Sequence, residues 1–247
     1  MHGLRLAGKV LIALYDDSTG VRGPIFDGGN TTELTLAADG EDIEILSTSY
    51  DNHGAALDSM SDPKPTTGTW KINRFTFRTL ALACAGNATL LAVAAAAKTK
   101  TDYVAKLGEG YRLSTVPINT LVVKNAGDTV TYVSGTDYTV NEQLGVFTPL
   151  VGGAIVADSE PHLAWNETAQ SDYRIDGSTA IGKKIWLGLD GRNLFTGEKI
   201  ILEIPKLKLK PSGTISFIGG DTAEQQFDFT AIVLEGNTAA YTLRVPS

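Results

Sequence analysis

Strict two-residue alternation of polar and apolar side chains, recurring along most of the chain, is the feature that most restricts the fold. Thr32-Glu-Leu-Thr-Leu36 and Asp42-Ile-Glu-Ile-Leu46 alternate in this way. Thr69-Trp-Lys-Ile-Asn-Arg-Phe-Thr-Phe77 does so too, with Lys71, Asn73 and Thr76 set among Trp70, Ile72, Phe75 and Phe77. Successive side chains of a β-strand point to opposite faces, so each stretch predicts a strand with one face buried and the other wet. In the segment from Glu224 to Glu235, Phe227, Phe229, Ala231 and Val233 fall on one face, and Glu224, Gln226, Asp228 and Thr230 on the other. Lys9-Val-Leu-Ile-Ala-Leu-Tyr15 is an apolar strand ended by the turn formers Asp16-Asp17-Ser18-Thr19-Gly20. Lys184-Ile-Trp-Leu-Gly-Leu-Asp190 leads into Lys199 to Lys210, an extended run with Lys206, Lys208 and Lys210 on one face. Pro205 has no N–H to give a ladder and marks an edge or a bulge there. The fold class expected is mainly β.

Three stretches depart from this rhythm. Ser47 to Gly68 holds few core candidates and two prolines, and reads as a structureless loop of about 20 residues, a length that usually serves binding or is disordered. The alanine- and leucine-rich run from Arg78 to Lys98 has high helix propensity and predicts two short helices broken at Gly86-Asn87. Residues 116–165 read as a small β insertion, with Leu121-Val-Val-Lys124 and Thr129-Val-Thr-Tyr-Val133 flanking the turn Asn125-Ala-Gly-Asp128. Residues 1–115 and 166–247 then make one discontinuous β-domain.

Composition removes several function classes. The 247 residues carry a net charge of -7 with a pI near 5.0. That opposes a protein gripping nucleic acid through its phosphates, which needs clustered Lys and Arg. The lone Cys84 allows no intrachain disulfide and, in the apolar run Thr79 to Ala85, reads as a small buried hydrophobe. Met-His-Gly-Leu-Arg lacks a signal peptide's apolar core. Thr89 to Lys98, the most apolar window, is about half the length of a membrane span, so folding in the cytoplasm and no membrane contact are expected.

Chemistry finds little purchase. His2, His53 and His162 have no metal-ligand spacing to one another, although His53 lies near Asp51 and Asp58. Gly152-Gly153 and Gly219-Gly220-Asp221 lack a phosphate loop's lysine, and no Gly-x-Ser-x-Gly occurs. The turn pair Asp16-Asp17 offers two carboxylates without support for glycosidase work. The chain reads as no enzyme, with no catalytic residue, metal or other cofactor. A different class stays open: a soluble β-sandwich binding module, such as a glycan-binding adhesin, stacking sugars on Tyr50, Tyr103, Tyr111, Tyr132, Tyr138 and Trp165.

The order of elements resembles that of the major tail proteins, or tail tube proteins, of long-tailed bacteriophages. Gly8-Lys-Val-Leu-Ile-Ala-Leu-Tyr-Asp16 is similar to that family's opening strand, and Gly29-Asn-Thr-Thr-Glu-Leu-Thr-Leu36 to its next characteristic strand. Gly68 to Phe77 followed by a Leu/Ala segment is similar to its strand-to-helix passage. Gly135-Thr-Asp-Tyr-Thr-Val-Asn141 with Gly145-Val-Phe147 resembles the small β unit many members carry. Asp190-Gly-Arg-Asn193, Phe217-Ile-Gly-Gly-Asp221 and the Glu224 strand resemble the closing section. No single match is a fingerprint; their order over about 230 residues carries the likeness.

The resemblance implies a β-sandwich or half-barrel protomer with a flanking α-helix and a long inter-ring loop. Copies stack as rings, commonly hexameric, whose strands join around a lumen. It implies a virion tail location after assembly in the host cytoplasm. The implied partners are further copies of the chain, a tape measure protein in the lumen, terminator and tip proteins, and DNA that passes unbound. A tail terminator or the inner tube of a contractile system shares the same logic. On this reading the polar phases Asp42, Glu44, Glu224, Gln226 and Asp228 line the lumen, where negative charge lets DNA slide. The first 70 residues hold eleven acids against four bases. Contacts between rings or subunits fall to Tyr50, Leu57 and Met60 in the loop and to Lys206, Lys208 and Lys210, which read equally as lysines protecting a strand edge.

Overall fold

The computed structural model describes residues 3–16, 18–219 and 222–245; His2, Asp17 and Gly220-Asp221 lie outside the described residues. The chain is mainly β, with antiparallel pairing and one short helix among the described residues. It opens with β1 (Leu6–Tyr15), β2 (Arg22–Asp27), β3 (Asn30–Ala37), β4 (Gly40–Leu46), β5 (Ala56–Pro63), β6 (Thr67–Arg74) and α1 (Phe77–Ala83). There follow β7 (Asn87–Val93), β8 (Ala96–Lys100), β9 (Tyr111–Arg112), β10 (Ile118–Lys124), β11 (Tyr138–Asn141) and β12 (Val146–Pro149). The chain closes with β13 (His162–Glu167), β14 (Gln170–Asp176), β15 (Lys184–Asn193), β16 (Lys199–Ser212), β17 (Gln225–Ala231) and β18 (Thr242–Arg244). Among the described residues no helix is long and apolar enough to cross a membrane.

Two compact units form. The first takes the chain up to Ala88 and again from Ile175, and the second is Thr89–Arg174. The second is wider at both ends than the 116–165 read from sequence: β8 pairs with β13 (Leu163 opposite Lys100), Tyr103 and Ala105 join its core, and β14 pairs with β7.

In the first unit one sheet runs in the order β2-β1-β15-β16-β17-β6-β3, with β18 alongside β16. Its margins, β2 and β3, are consecutive in sequence and joined only by Gly28-Gly29. Seven flat strands would hold their margins about 29 Å apart at ~4.8 Å per step. The three Cα steps from Asp27 to Asn30 reach at most about 11 Å. The sheet must therefore curl until its margins meet at this end, giving a half-barrel. The two glycines stitch the seam: the Gly28 N–H donates to the Val10 carbonyl of β1 at 2.9 Å, and Gly29 (φ 92°) packs against the Arg74 carbonyl at the end of β6.

The inner face carries the alternating apolar residues expected from sequence. Val10, Ile12, Trp70, Ile72, Ile185, Leu187, Phe227 and Phe229 are buried in one core. Trp70 stacks on Phe227 with centroids 5.1 Å apart, and its indole N–H donates to the Thr31 hydroxyl at 2.9 Å. In β16 the buried phase changes from Leu202 and Ile204 to Leu207 and Leu209 across a bulge at Pro205-Lys206, as the proline indicated. Val233, placed by periodicity on the Phe227 face, lies past the end of β17 and is half exposed.

The helical reading of Arg78 to Lys98 is corrected. Only Phe77–Ala83 is helical, started by a capping box between Thr76 and Thr79 and ended at Cys84. Beyond it Asn87–Val93 and Ala96–Lys100 are strands, held by pairing with β14 and β13. Ladder pairing overrides the weak local preference of alanine for helix. Cys84 is half-buried at the helix end, where it caps Leu80, and is not a core residue.

The second unit is a small sandwich of β10-β13-β8 over β11-β12-β9. Its core holds Ile118, Val123, Tyr138, Phe147, Ile155, Leu163 and Trp165. The predicted hairpin around Asn125-Ala-Gly-Asp128 keeps its turn, with the Asn125 side-chain carbonyl accepting from the Thr129 and Val130 N–H groups at 2.9 and 3.0 Å. Its second arm is reduced to a bridge, Lys124 to Thr131.

Candidate functional site

β3 and β6 pair along their length, and the chain between them is thrown out as a second ladder, β4 with β5. The stretch Ser47 to Gly68, read from sequence as structureless, is thereby corrected. Residues 47–55 are a closed turn, in which the Ser47 N–H donates to the Ala55 carbonyl at 2.7 Å and the Ser47 hydroxyl to Asn52 Oδ1 at 2.6 Å. Ala56–Pro63 is a strand. The hairpin root is clamped by the Lys64 N–H donating to the Asp39 carbonyl at 3.0 Å and by the Lys64–Glu41 ion pair at 3.2 Å.

Every residue of β4 and of β5 is exposed. Ile43 lies opposite Met60, and Ile45 is two residues on along the same face. These three apolar side chains are 48%, 62% and 59% exposed. Asp42 lies opposite Ser61, which donates to its carboxylate at 2.5 Å, and Glu44 lies opposite Ser59 on the other face. Residues 39–64 hold the seven acids Asp39, Glu41, Asp42, Glu44, Asp51, Asp58 and Asp62 and the single lysine Lys64. Six of the seven net negative charges of the chain therefore sit on this arm.

Of the loop anchors named from sequence, Met60 joins the apolar face, Leu57 sits at the bulge beside Ala56, and Tyr50 is 98% exposed in the turn. Ile43 and Ile45 were missed, because period two assigned them to a buried face. β5 offers them Met60 alone as an apolar partner, and the segment Ala56 to Pro63, poor in large apolar residues, was the signal that could have revealed this.

Within one copy, Asp42, Glu44, Glu224, Gln226 and Asp228, expected from sequence to line a lumen, do not share one surface. Asp42 and Glu44 belong to the hairpin, Glu224 precedes β17, and Gln226 and Asp228 lie on the outer face of the curled sheet. There Asp228 is directly opposite Lys210, and Thr230 opposite Lys208. Hydrogen bonding from the Gln226 amide, at 2.9 Å, together with Ser212 and the nearby Lys210 charge, holds the Asp228 carboxyl below the usual range. Lys71 on the same face is held above its usual value by the Glu33 carboxylate 2.6 Å away. The face is thus of mixed sign, because alternation separates polar from apolar residues but not acid from base.

Lys208 and Lys210, with Asp228, Thr35, Thr67 and Thr69, border an open groove of about 510 Å³ beside the hairpin root. Lys206 differs from its two neighbours. At the bulge it turns its ammonium over the Tyr15 ring, 5.0 Å from the centroid, and Tyr15 in turn donates to the Pro205 carbonyl at 2.7 Å.

Other candidates are dispersed. His53 is exposed in the hairpin turn, and His162 faces Asp128 at 3.2 Å. Among the described residues no group of three His, Cys, Asp or Glu side chains is placed to hold a metal. The sugar-stacking set is corrected: Tyr103, Tyr138 and Trp165 are buried in the core of the second unit, Tyr111 and Tyr132 pack against that core, and only Tyr50 stands free in solvent. Burial pushes the Tyr103 and Tyr138 hydroxyls above their usual value.

No curated protein matches the sequence. A family model described as "Protein of unknown function UCP028589" matches residues 4–241. With nearly the whole chain covered by that model, the protein belongs to this family of proteins of unknown function.

Proposed function

We propose that the protein is a structural protein that polymerises with copies of itself, as the tail tube protein of a long-tailed bacteriophage does, into stacked rings around a conduit for DNA. The observation that carries the reading is the hairpin of β4 and β5, all of whose residues are exposed. A two-stranded hairpin is marginal in water without a surface to pack on. Ile43, Ile45 and Met60 are already about half covered, so burying the rest against a neighbour contributes about 1 kcal/mol each. An exposed apolar row rimmed by charge marks an interaction site.

The order of elements matched in the sequence and the half-barrel, whose margins are stitched at Gly28-Gly29 and open toward Arg22 and Ala37, agree with such a protomer. Open margins invite strand pairing with other copies, and closure across copies removes them. The net charge of -7 per copy gives an assembly a negative field that DNA passes without adhering. Placement in a virion, ring number, and the tape measure, terminator and tip proteins as partners belong to the same proposal.

Negative-stain electron microscopy of the purified protein over a rising concentration series tests it. Tubes of uniform diameter are the expected result. A chain that stays monomeric, or closes into dimers at every concentration, refutes it.

A further inference from the structure

We infer that Asp42 and Glu44 on the hairpin of one copy pair with Lys208 and Lys210 in the outer-face groove of the next copy. The inference rests on the self-assembly reading and names the surface on which the arm lands. Three observations carry it.

The first is charge. The arm holds seven acids and one base. Among the described residues neither Asp42 nor Glu44 has a cation within 4 Å, and neither Lys208 nor Lys210 has a carboxylate within that distance. Asp42, Glu44 and Lys208 therefore make no close ion pair within one copy, and Lys210 has only Asp228, opposite it on β17 and beyond 4 Å, while Glu41 and Glu33 have theirs in Lys64 and Lys71.

The second is spacing. Asp42 and Glu44 are two residues apart on β4, and Lys208 and Lys210 two apart on β16. Side chains two apart on a strand repeat at about 6.8 Å. Two carboxylates can thus meet two ammonium groups at once. Ser61 and Ser59, opposite Asp42 and Glu44 on β5, would bring hydroxyls to a groove bordered by those of Thr35, Thr67 and Thr69. Asp228 is the acid within the groove, so the two lysines outnumber it.

The third is position. The groove adjoins Ala37 and Thr67, the residues from which the hairpin departs. The arm's outer part and the groove at its root are different surfaces of one chain. A contact between unlike surfaces, where it is not returned by the same neighbour, is head-to-tail and builds rings or filaments from copy to copy. That is the geometry a polymer requires.

The test is reciprocal charge reversal in the full chain. Lys208→Glu with Lys210→Glu makes one variant; Asp42→Lys with Glu44→Lys makes the other. All four side chains point outward, and circular dichroism checks that each variant keeps its strands. Sedimentation velocity should show each variant alone associating at least about 100-fold more weakly than the unmodified chain, since like charges then face each other. An equimolar mixture should associate again, because each arm then meets a groove of opposite sign, and the mixture should weaken as salt is raised.

Variants that associate as well as the unmodified chain, or a mixture that stays inert, would overturn the pairing. Duplex DNA bound by the unmodified chain and lost with Lys208→Glu and Lys210→Glu, while association is unchanged, would assign the groove to DNA and overturn it too. Microscopy separates this from the broader reading. Charge-dependent assemblies that are not tubes would sink the tail tube and keep the pairing, whereas tubes indifferent to the reversals would do the opposite.

Discussion

The ring of Phe229 occupies the space that a side chain on Gly68 would need. The two residues are partners across β17 and β6, and a Cβ on Gly68 would lie 2.5 Å from the Phe229 ring and 2.2 Å from the Thr35 carbonyl oxygen. One contact is with backbone in the neighbouring strand, so a rotamer change cannot relieve both. Gly68→Ala should destabilise the first unit by about 1–3 kcal/mol, the usual cost of overpacking. Urea unfolding should show a lower midpoint with an unchanged slope.

The hairpin can be removed at its root. The Lys64 N–H donates to the Asp39 carbonyl at 3.0 Å, so the cut ends are already adjacent. Replacing residues 40–63 by an Asn-Gly turn should leave the curled sheet folded, since β4 and β5 bury nothing in the core. The melting temperature should move by no more than a few degrees, about the effect of 1 kcal/mol. Sedimentation should find the shortened chain monomeric where the full chain associates.

Asp137 predicts an acid sensitivity of the second unit. Its carboxylate accepts from the Val133 N–H at 2.7 Å and the Ala154 N–H at 2.8 Å, and these bonds hold it below the ordinary aspartate value. A carboxyl lowered on folding adds stability that is complete above the unfolded value, near pH 4, and is lost as pH falls through the lower folded value. Asp137→Asn should therefore be less stable than the parent at pH 7. The gap between the two melting curves should narrow as pH falls below about 4. A gap constant over that interval would remove Asp137 as the cause.

The second unit should fold alone. Thr89–Arg174 contains both three-stranded sheets and its own core of nine buried residues. Expressed as a fragment, it should unfold in one cooperative transition, and proton resonances of Phe147 and Tyr138, whose rings lie 5.3 Å apart, should be well dispersed. A fragment without a cooperative transition would mean that its core depends on the rest of the chain.

Legibility in the sequence followed where the other half of each contact lies. Thr69 to Arg74 and Gln225 to Ala231 were readable because Trp70, Ile72, Phe227 and Phe229 find their apolar partners within the same unit. Ile43 and Ile45 alternate just as regularly and stay about half exposed, since β5 supplies only Met60 to cover them. Periodicity records that a face is apolar and is silent on what covers it. The run after Ala83 misled for another reason: alanine's helical preference of tenths of a kcal/mol per residue yields to a ladder partner distant in sequence, such as Trp165 opposite Lys98. The curl of the sheet was not legible at all. It follows from which strands pair, and Gly28-Gly29 takes on meaning only once β2 and β3 are known to be the two margins.

That glycine stitch has a mechanical consequence. The half-barrel is laced at one rim, where Gly28 holds Val10 and Gly29 lies on Arg74, and unlaced at the other, toward Arg22 and Ala37. A load that pushes the wall outward meets a covalent strap at the laced rim and only the stiffness of the strands at the open one. The protomer should yield by flaring, as a cuff buttoned at the wrist does, with its give directed to the side from which the acidic arm departs.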